Sequence, residues 1–514
     1  MLDVKPVEGY FADVPRLVAF AYVCLNENML GSSLISLGQA HLAEVARRGV
    51  PVPAYDRGGL APRIAHVGVG GFHRAHLAVY AHELASDGGD WGIVGVGLLE
   101  QDAGMAAALR AQDHLYTLIE KGAGAPSAAV IGSIIDYVHA PPGHDAAVAE
   151  LVASPSTSIL SLTVTEAGYS EPSAQQAASG AGATFDRLAA ALAVRRERAA
   201  GPLTILSCDN LPGNGDAARD ATLSAAARAD AALPAWIQTN CTFPNSMVDR
   251  ITPVTADADR QWLRDTNGID DRWPVVAEPF RQWVMEDAFA GGRPPWEDVG
   301  AVFTDRIHDW ELYKLRFLNA GHSCIAYLCA LAEVIFVHEA MAIPAARTFL
   351  EELLHREAMP TLVEIPGHPR EQYVASVLER FANPGVRDQI ARLCVDGSAK
   401  FAKFLVPTIA RQLEVDGPTE RAATALAGWA RYLAVVDPAA QAFDSSADAA
   451  RHHAAQAVGD PVAFLEFDGV FPSAVNESRS FRTQFSDAYR RIAEHGPIAA
   501  MEHEPDRQRI GDAG

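Results

Sequence analysis

The chain has 514 residues, 49% hydrophobic and 21% charged, with a formal net charge of -22. That length exceeds a single core and implies roughly two to four domains, and the acidic balance excludes a phosphate-backbone partner, because nucleic-acid binders carry a basic footprint. No apolar run approaches the roughly eighteen residues of a membrane span, and six scattered cysteines (Cys24, Cys208, Cys241, Cys324, Cys329, Cys394) without a CxxC pair exclude a thiolate zinc site and fit a reducing cytosol.

Residues 1–33 read as an N-terminal extension. Leu17 to Leu25 is apolar like a signal-peptide core, but Asp3, Glu8 and Asp13 stand where positive charge belongs and no cleavage signal follows. The expectation is a cytoplasmic protein, with Met29 as an alternative start. Past Pro53 the pattern becomes α/β. Ile64 to Val67 forms a buried strand, Gly68, Gly70 and Gly71 a turn, and a helix follows from His73; Ile93 to Val96 gives a second strand. AVIGSIIDYV, SILSLTVTEAGY and LTILSCDNLPG each supply one more, with alanine-rich helices over Asp145 to Ala153 and Ser173 to Ala200. Strands alternating with helices predict a mostly parallel, Rossmann-like sheet. From about Asp305 the pattern is helical, so an α/β domain over 34–300 is expected to precede a mainly helical domain over 301–514. The boundary is placed in AGGRPPWEDVGA.

The glycine turn carries the first chemical expectation. A dinucleotide pyrophosphate needs backbone N–H groups at a helix start and residues small enough to let it approach. Gly68 and Gly70 match the first two positions of GxGxxG, but the third is His73, with Gly71 and Phe72 completing the turn. An ordinary strand-to-helix turn explains the glycines equally well. Asp102, just after the second strand, suits the ribose hydroxyls and would repel a 2'-phosphate, which favours NAD over NADP; Glu100 is a rival for that role.

Three further segments offer polar groups. SCDNLPGNG ends a strand with Asn210, either aimed at a cleft or making an Asx turn. FPNSMVDRITP places Asn245, Asp249 and Arg250 in what reads as a polar loop, where Asp249 orients a substrate hydroxyl or pairs with Arg250. ELYKLRFLNAGHSCIAYL carries Lys314, Asn319 and His322. On a regular α-helix of about 100° per residue, Asn319 falls roughly 140° from Lys314, with His322 between them. A lysine in apolar surroundings loses its proton more easily and can serve as a general base. Taken alone, the run also fits a surface lysine and a satisfied core histidine.

Seven segments in this order, GVGGFHRAH, GVGLLEQD, SLTVTEAGY, SCDNLPGNG, FPNSMVDRITP, AEPFRQWVMED and KLRFLNAGHS, resemble the polyol-specific long-chain dehydrogenase/reductase family, and within it the mannitol 2-dehydrogenase branch, over roughly Leu34 to Val470. The resemblance implies NAD-dependent, metal-independent oxidation of a polyol, D-mannitol to D-fructose, and the reverse ketose reduction, in a cleft between the two domains. It makes Lys314 the general acid/base, Asn210 and Asn319 the oxyanion donors and His322 the residue that positions substrate. It further implies that Asp249, Arg392 and Lys400 lie near substrate, Glu166 on the lysine's proton path, and Gly68, Gly70, Gly71, Phe72 and Asp102 at the cofactor. A monomer is implied, and no metal is expected; His73 and His76 belong to the turn. Hexuronate reductases acting on fructuronate or tagaturonate share the lysine motif and the fold, so the sugar stays open. A silent NAD-binding sensor would have no use for Lys314, Asn319, His322 and Asn210 together.

Overall fold

The computed structural model describes residues 34–164, 166–169 and 184–503. Its core is a six-stranded parallel sheet built from β1 (Ala61–Val67), β2 (Trp91–Gly97), β3 (Ile134–His139), β4 (Ile159–Leu162), β5 (Leu203–Ser207) and β6 (Cys241–Thr242). The strand order is β3-β2-β1-β4-β5-β6, the order of a dinucleotide-binding sheet, which reverses between β1 and β4. The strands are buried on both faces, as parallel sheets require. Ile64, Ile93, Ile134 and Ile159 pack on one side with α1 (Gly71–Ala75) and α2 (Leu77–Ser86). Ala65, Val67, Val96 and Leu160 pack on the other with α3 (Asp145–Val152), α4 (Thr184–Glu197) and α5 (Asn214–Ala229).

Two expectations change here. AVIGSIIDYV is two strands: Ser127–Ile131 pairs antiparallel with Tyr116–Glu120, and β3 begins after Gly132-Ser133. A Cβ on Gly132 would come 2.6 Å from Pro53 Cγ, so the chain changes sheets where only glycine fits. FPNSMVDRITP is not a loop throughout, since β7 (Ser246–Asp249) runs antiparallel to β8 (Gln282–Met285), which pairs with β9 (Val302–Phe303). Residues 1–33 and the first part of the stretch Ser173 to Ala200 lie outside the described residues.

Beyond β9 the described chain is helical, opening with α6 (Ile307–Tyr313) and α7 (Ala320–Leu331) and continuing through α8 (Arg370–Phe381), α9 (Glu420–Val435) and α10 (Arg479–Glu502). Its core is aromatic, with Trp429 of α9 contacting Phe401, Phe464 and Phe467. α10 breaks at Gly496, whose φ of 85° precedes Pro497. Among the described residues no helix is long and apolar enough to cross a membrane.

Candidate active site

The carboxyl ends of the central strands converge, and this is where open α/β sheets collect ligand groups. Gly68 follows β1 with φ +91°, and a Cβ there would lie 2.1 Å from the carbonyl oxygen of Thr163, just past β4. Thr163 Oγ1 donates to Gly68 O at 2.6 Å, locking the turn to its neighbour. Gly70 precedes α1, of which Gly71 is the first residue. Phe72 stacks on His76 at 4.9 Å, so it braces the turn from the protein side. His73, at the place of the third glycine, stacks on His66 of β1 with ring centroids 3.4 Å apart. The close strand–helix approach that glycine normally permits is here met by two flat rings. Burial drives His66 and His76 down to about 3 and His73 well below its usual range, so all three are neutral at neutral pH. His66 is held by Ser161 and Thr163, whereas neither nitrogen of His73 has a hydrogen-bond partner among the described residues.

Asp102 follows β2 in a 3-10 turn (Glu100–Asp102) and accepts from Leu99 N–H at 2.9 Å through Oδ2. The carboxylate is thus held at the end of the strand beside Gly97, where a Cβ would come 2.7 Å from Asp102 Cβ. Glu166 begins the turn Glu166–Tyr169 after β4, but its side chain is outside the described residues.

Lys314 lies at the junction of the two halves. It is buried, and its Nζ donates to Asn210 Oδ1 at 2.6 Å and to Val248 O at 2.7 Å. Asn210 follows β5 and Val248 lies on β7, so one helical lysine reads two elements of the α/β half. Because Asn210 Oδ1 is engaged, its amide N–H groups are the free end. Burial lowers the Lys314 pKa below its usual value; Arg380 adds to this, while Asp249 and Glu311 oppose it.

The helix itself departs from expectation. Lys314–Asn319 is a π segment between α6 and α7. A π turn takes more residues than an α turn, so five residues carry Asn319 closer to the face of Lys314 than the 140° of a regular helix. Asn319 is half-buried, and its amide has no hydrogen-bond partner among the described residues. The segment combines Leu315, Phe317 and Leu318 with a buried amine, and no cap or proline marks it in the sequence.

His322 is buried on α7, stacked on Phe381 at 3.9 Å. Burial lowers it to about 3, with Arg392 and Arg380 adding and Asp388 opposing. Its Nε2 has no hydrogen bond among the described residues and lies 3.9 Å from Asp388. Asp249 does not pair with Arg250: it is buried and held by both terminal nitrogens of Arg380, at 2.7 and 2.9 Å. Burial alone would raise its carboxyl pKa, and the Arg380 guanidinium outweighs that and holds it below the usual value. Arg250 turns instead to Glu120, to the Glu278 carbonyl and to the Ala75 carbonyl. Asn245 caps α5 through the N–H groups of Gly215 and Asp216. Arg392 is mostly exposed and bonded to Asp388, and half-buried Lys400 donates to Leu393 O at 3.0 Å.

Sequence reasoning missed Arg380 and Glu311. Arg380 also binds Glu278 at 2.7 Å and packs on Phe280 at 4.0 Å, so it gathers two acids beside the lysine. Glu311, one turn before Lys314, lines the same pocket as Lys314, Asn210 and Pro212. It accepts from Gly213 N–H at 2.8 Å, and burial raises its carboxyl pKa. Glu311 was legible as an acid three residues from Lys314 on one helical face. Arg380 was not, because it is 131 residues from Asp249. Among the described residues no group of three or more side chains is arranged to hold a metal ion.

Comparison with known proteins places these features in a family. Residues 62–298 match the model of the mannitol dehydrogenase Rossmann domain, and 306–493 that of the mannitol dehydrogenase C-terminal domain. The chain is 41% identical to mannitol dehydrogenase 2 of Saccharomyces cerevisiae over 88% of its length and 94% of that protein's. It is 40% identical to a mannitol 2-dehydrogenase of Aspergillus terreus, covering 91% of this chain and 98% of the relative. Two solved structures resemble it over 91% of its length. One is Pseudomonas fluorescens mannitol 2-dehydrogenase in ternary complex with NAD and D-mannitol, at 38% identity, TM-score 0.79 and 99% of that chain. The other is a substrate-free D-sorbitol dehydrogenase, at 32% identity, TM-score 0.80 and 100% of that chain. With both family models matched in order and relatives aligned nearly end to end, the chain belongs to the mannitol dehydrogenase family.

Proposed function

We propose that this protein is an NAD-dependent polyol dehydrogenase that oxidises D-mannitol to D-fructose and catalyses the reverse reduction. The observation that carries the chemistry is Lys314, a buried amine held between Asn210 and Val248 where the helical half meets the carboxyl edge of the sheet. The cofactor fits the chain: at Gly70, just before α1, a Cβ would meet only Gly68 O at 3.8 Å, so the helix start is open to a phosphate, and Asp102 is held at the end of β2. Gly68, Gly70, Gly71 and Phe72 form the phosphate turn, and Asp102 faces the adenosine ribose. NAD, when bound, supplies the acceptor for the hydride leaving the alcohol carbon.

The protein's own residues handle the proton and the charge. Neutral Lys314 takes the hydroxyl proton of the polyol, which its lowered pKa favours. The Asn210 and Asn319 amides donate to the oxygen as negative charge develops there. His322, neutral and with a free ring nitrogen, holds a neighbouring hydroxyl and selects the carbon to be oxidised. Asp249, clamped by Arg380, accepts from another hydroxyl, with Arg392 and Lys400 toward the far end of the substrate and Glu166 on the proton's way out. In reduction, protonated Lys314 returns the proton to the ketose oxygen. Residues 34–300 serve as the cofactor unit and 301–514 as the substrate unit of a cytoplasmic monomer that uses no metal.

Following NADH oxidation with fructose, fructuronate and tagaturonate in parallel tests this reading. Turnover of fructose is expected; turnover of a hexuronate alone would overturn the polyol assignment.

A further inference from the structure

The cations around His322 are already partnered from within the chain. Arg380 is clamped by Asp249 and Glu278. Arg392 gives Nε and Nη2 to the two oxygens of Asp388 at 2.8 and 2.6 Å, and Lys400 donates to a backbone carbonyl. A guanidinium fork is the group that recognises a carboxylate bidentately, and neither fork here is open. Asp388 itself lines a small pocket together with His322, Arg380, Phe381, Asn383 and His338. Its carboxylate is buried and stands 3.9 Å from His322 Nε2.

An ionised carboxylate only accepts hydrogen bonds. A polyol or ketose presents hydroxyl donors to it, whereas the terminal carboxylate of a sugar acid presents only acceptors and a like charge. We propose that Asp388 is a specificity-determining residue: by filling the Arg392 fork and placing an acceptor beside His322, it admits uncharged polyols and ketoses and rejects sugar acids. This rests on the polyol reading above and adds the residue that enforces it. Specificity is a difference between two affinities, and here the repulsive element supplies part of it.

The test compares kcat/KM for D-fructose with that for D-fructuronate, using NADH. Asp388→Asn removes the charge, keeps the shape and frees Arg392. The fructose-to-fructuronate ratio should fall by about tenfold, since like-charge contacts are costly but Arg392 is well exposed to solvent. Adding Arg392→Met to Asp388→Asn should recover part of the ratio, because the freed fork is gone while the Asp388 charge stays absent. Arg392→Met alone, which keeps Asp388, should hold the ratio or raise it, and this variant does not depend on how Asp388→Asn folds. An unchanged ratio in Asp388→Asn, a falling ratio in Arg392→Met, or a wild type that reduces fructuronate as well as fructose overturns the inference. A wild type that turns over neither fructose nor mannitol overturns the polyol reading instead, so the two failures are distinct.

Discussion

At the scale of single residues the account rests on a buried lysine that pairs with no acid among the described residues. Its two hydrogen bonds go to neutral oxygens, those of Asn210 and Val248, so nothing offsets desolvation by direct contact. Lys314→Ala should retain the fold, checked by circular dichroism, and lose roughly 10²–10⁴-fold in kcat, the usual contribution of a general base. Asn210→Ala removes one amide donor and should cost about 10²–10³-fold in kcat, or about 3–4 kcal/mol. A smaller loss confined to KM would assign Asn210 to binding alone. Much of this was legible in the sequence, since Lys314, Asn210 and His322 stood out as polar groups in apolar or strand-ending contexts. What was not legible was pairing at long range. Asp249 was assigned a choice between substrate and Arg250, its neighbour in sequence, but its partner is Arg380 on a helix of the other half. Adjacent residues on a strand point to opposite faces, so the nearest arginine was the wrong one.

At the scale of elements, the glycine turn and the π segment differ in how far sequence reveals them. The turn was readable because steric need leaves glycine behind: at Gly68 any side chain meets the Thr163 carbonyl. Gly68→Ala should therefore weaken NADH binding and lower stability by about 1–3 kcal/mol or more, measured by NADH fluorescence titration and thermal melting. Equal NADH affinity in that variant would remove the turn from the cofactor site. The broken third glycine also has a physical reason, the stacking of His73 on His66. By contrast, the π segment at Lys314–Asn319 leaves no compositional mark, because its residues suit an α-helix equally well. Its extra residue per turn is set by tertiary packing, as Lys314 reaches Asn210 and Val248 while Phe317 packs against Tyr373. The split of AVIGSIIDYV likewise hinged on one glycine inside an unbroken β-forming run.

At the scale of the whole molecule, buried titratable groups make stability depend on pH in two opposing ways. His66, His76 and His322 remain neutral down to about 3, and His82 down to about 4, because burial penalises the imidazolium. Once unfolded they take protons near their ordinary value of 6.5, so the unfolded state binds more protons between those limits. Their contribution to stability is intact above pH 6.5 and declines as pH falls toward 3. Glu357 acts in reverse. It is buried, accepts from the N–H groups of Arg421 and Ala422, and burial pushes its carboxyl up to about 8. The folded state holds a proton there that the unfolded chain releases above 4.5, so this contribution falls as pH rises from 4.5 to 8. Denaturant melts across pH should show wild type losing stability relative to the non-titrating Glu357→Gln over that window. A difference that stays flat would place Glu357 as an ordinary ionised cap of α9.

The two halves meet at the amine of Lys314, so the most direct measurement is the pH dependence of kcat/KM in both directions, mannitol oxidation with NAD and fructose reduction with NADH. Oxidation should rise with pH as Lys314 loses its proton, and reduction should fall over the same range. The shared midpoint should lie below the ordinary lysine value of 10.5, because burial lowers it. Profiles of the same shape in both directions, or opposed profiles that persist unchanged in Lys314→Ala, would contradict the assignment of Lys314 as the group that exchanges the proton.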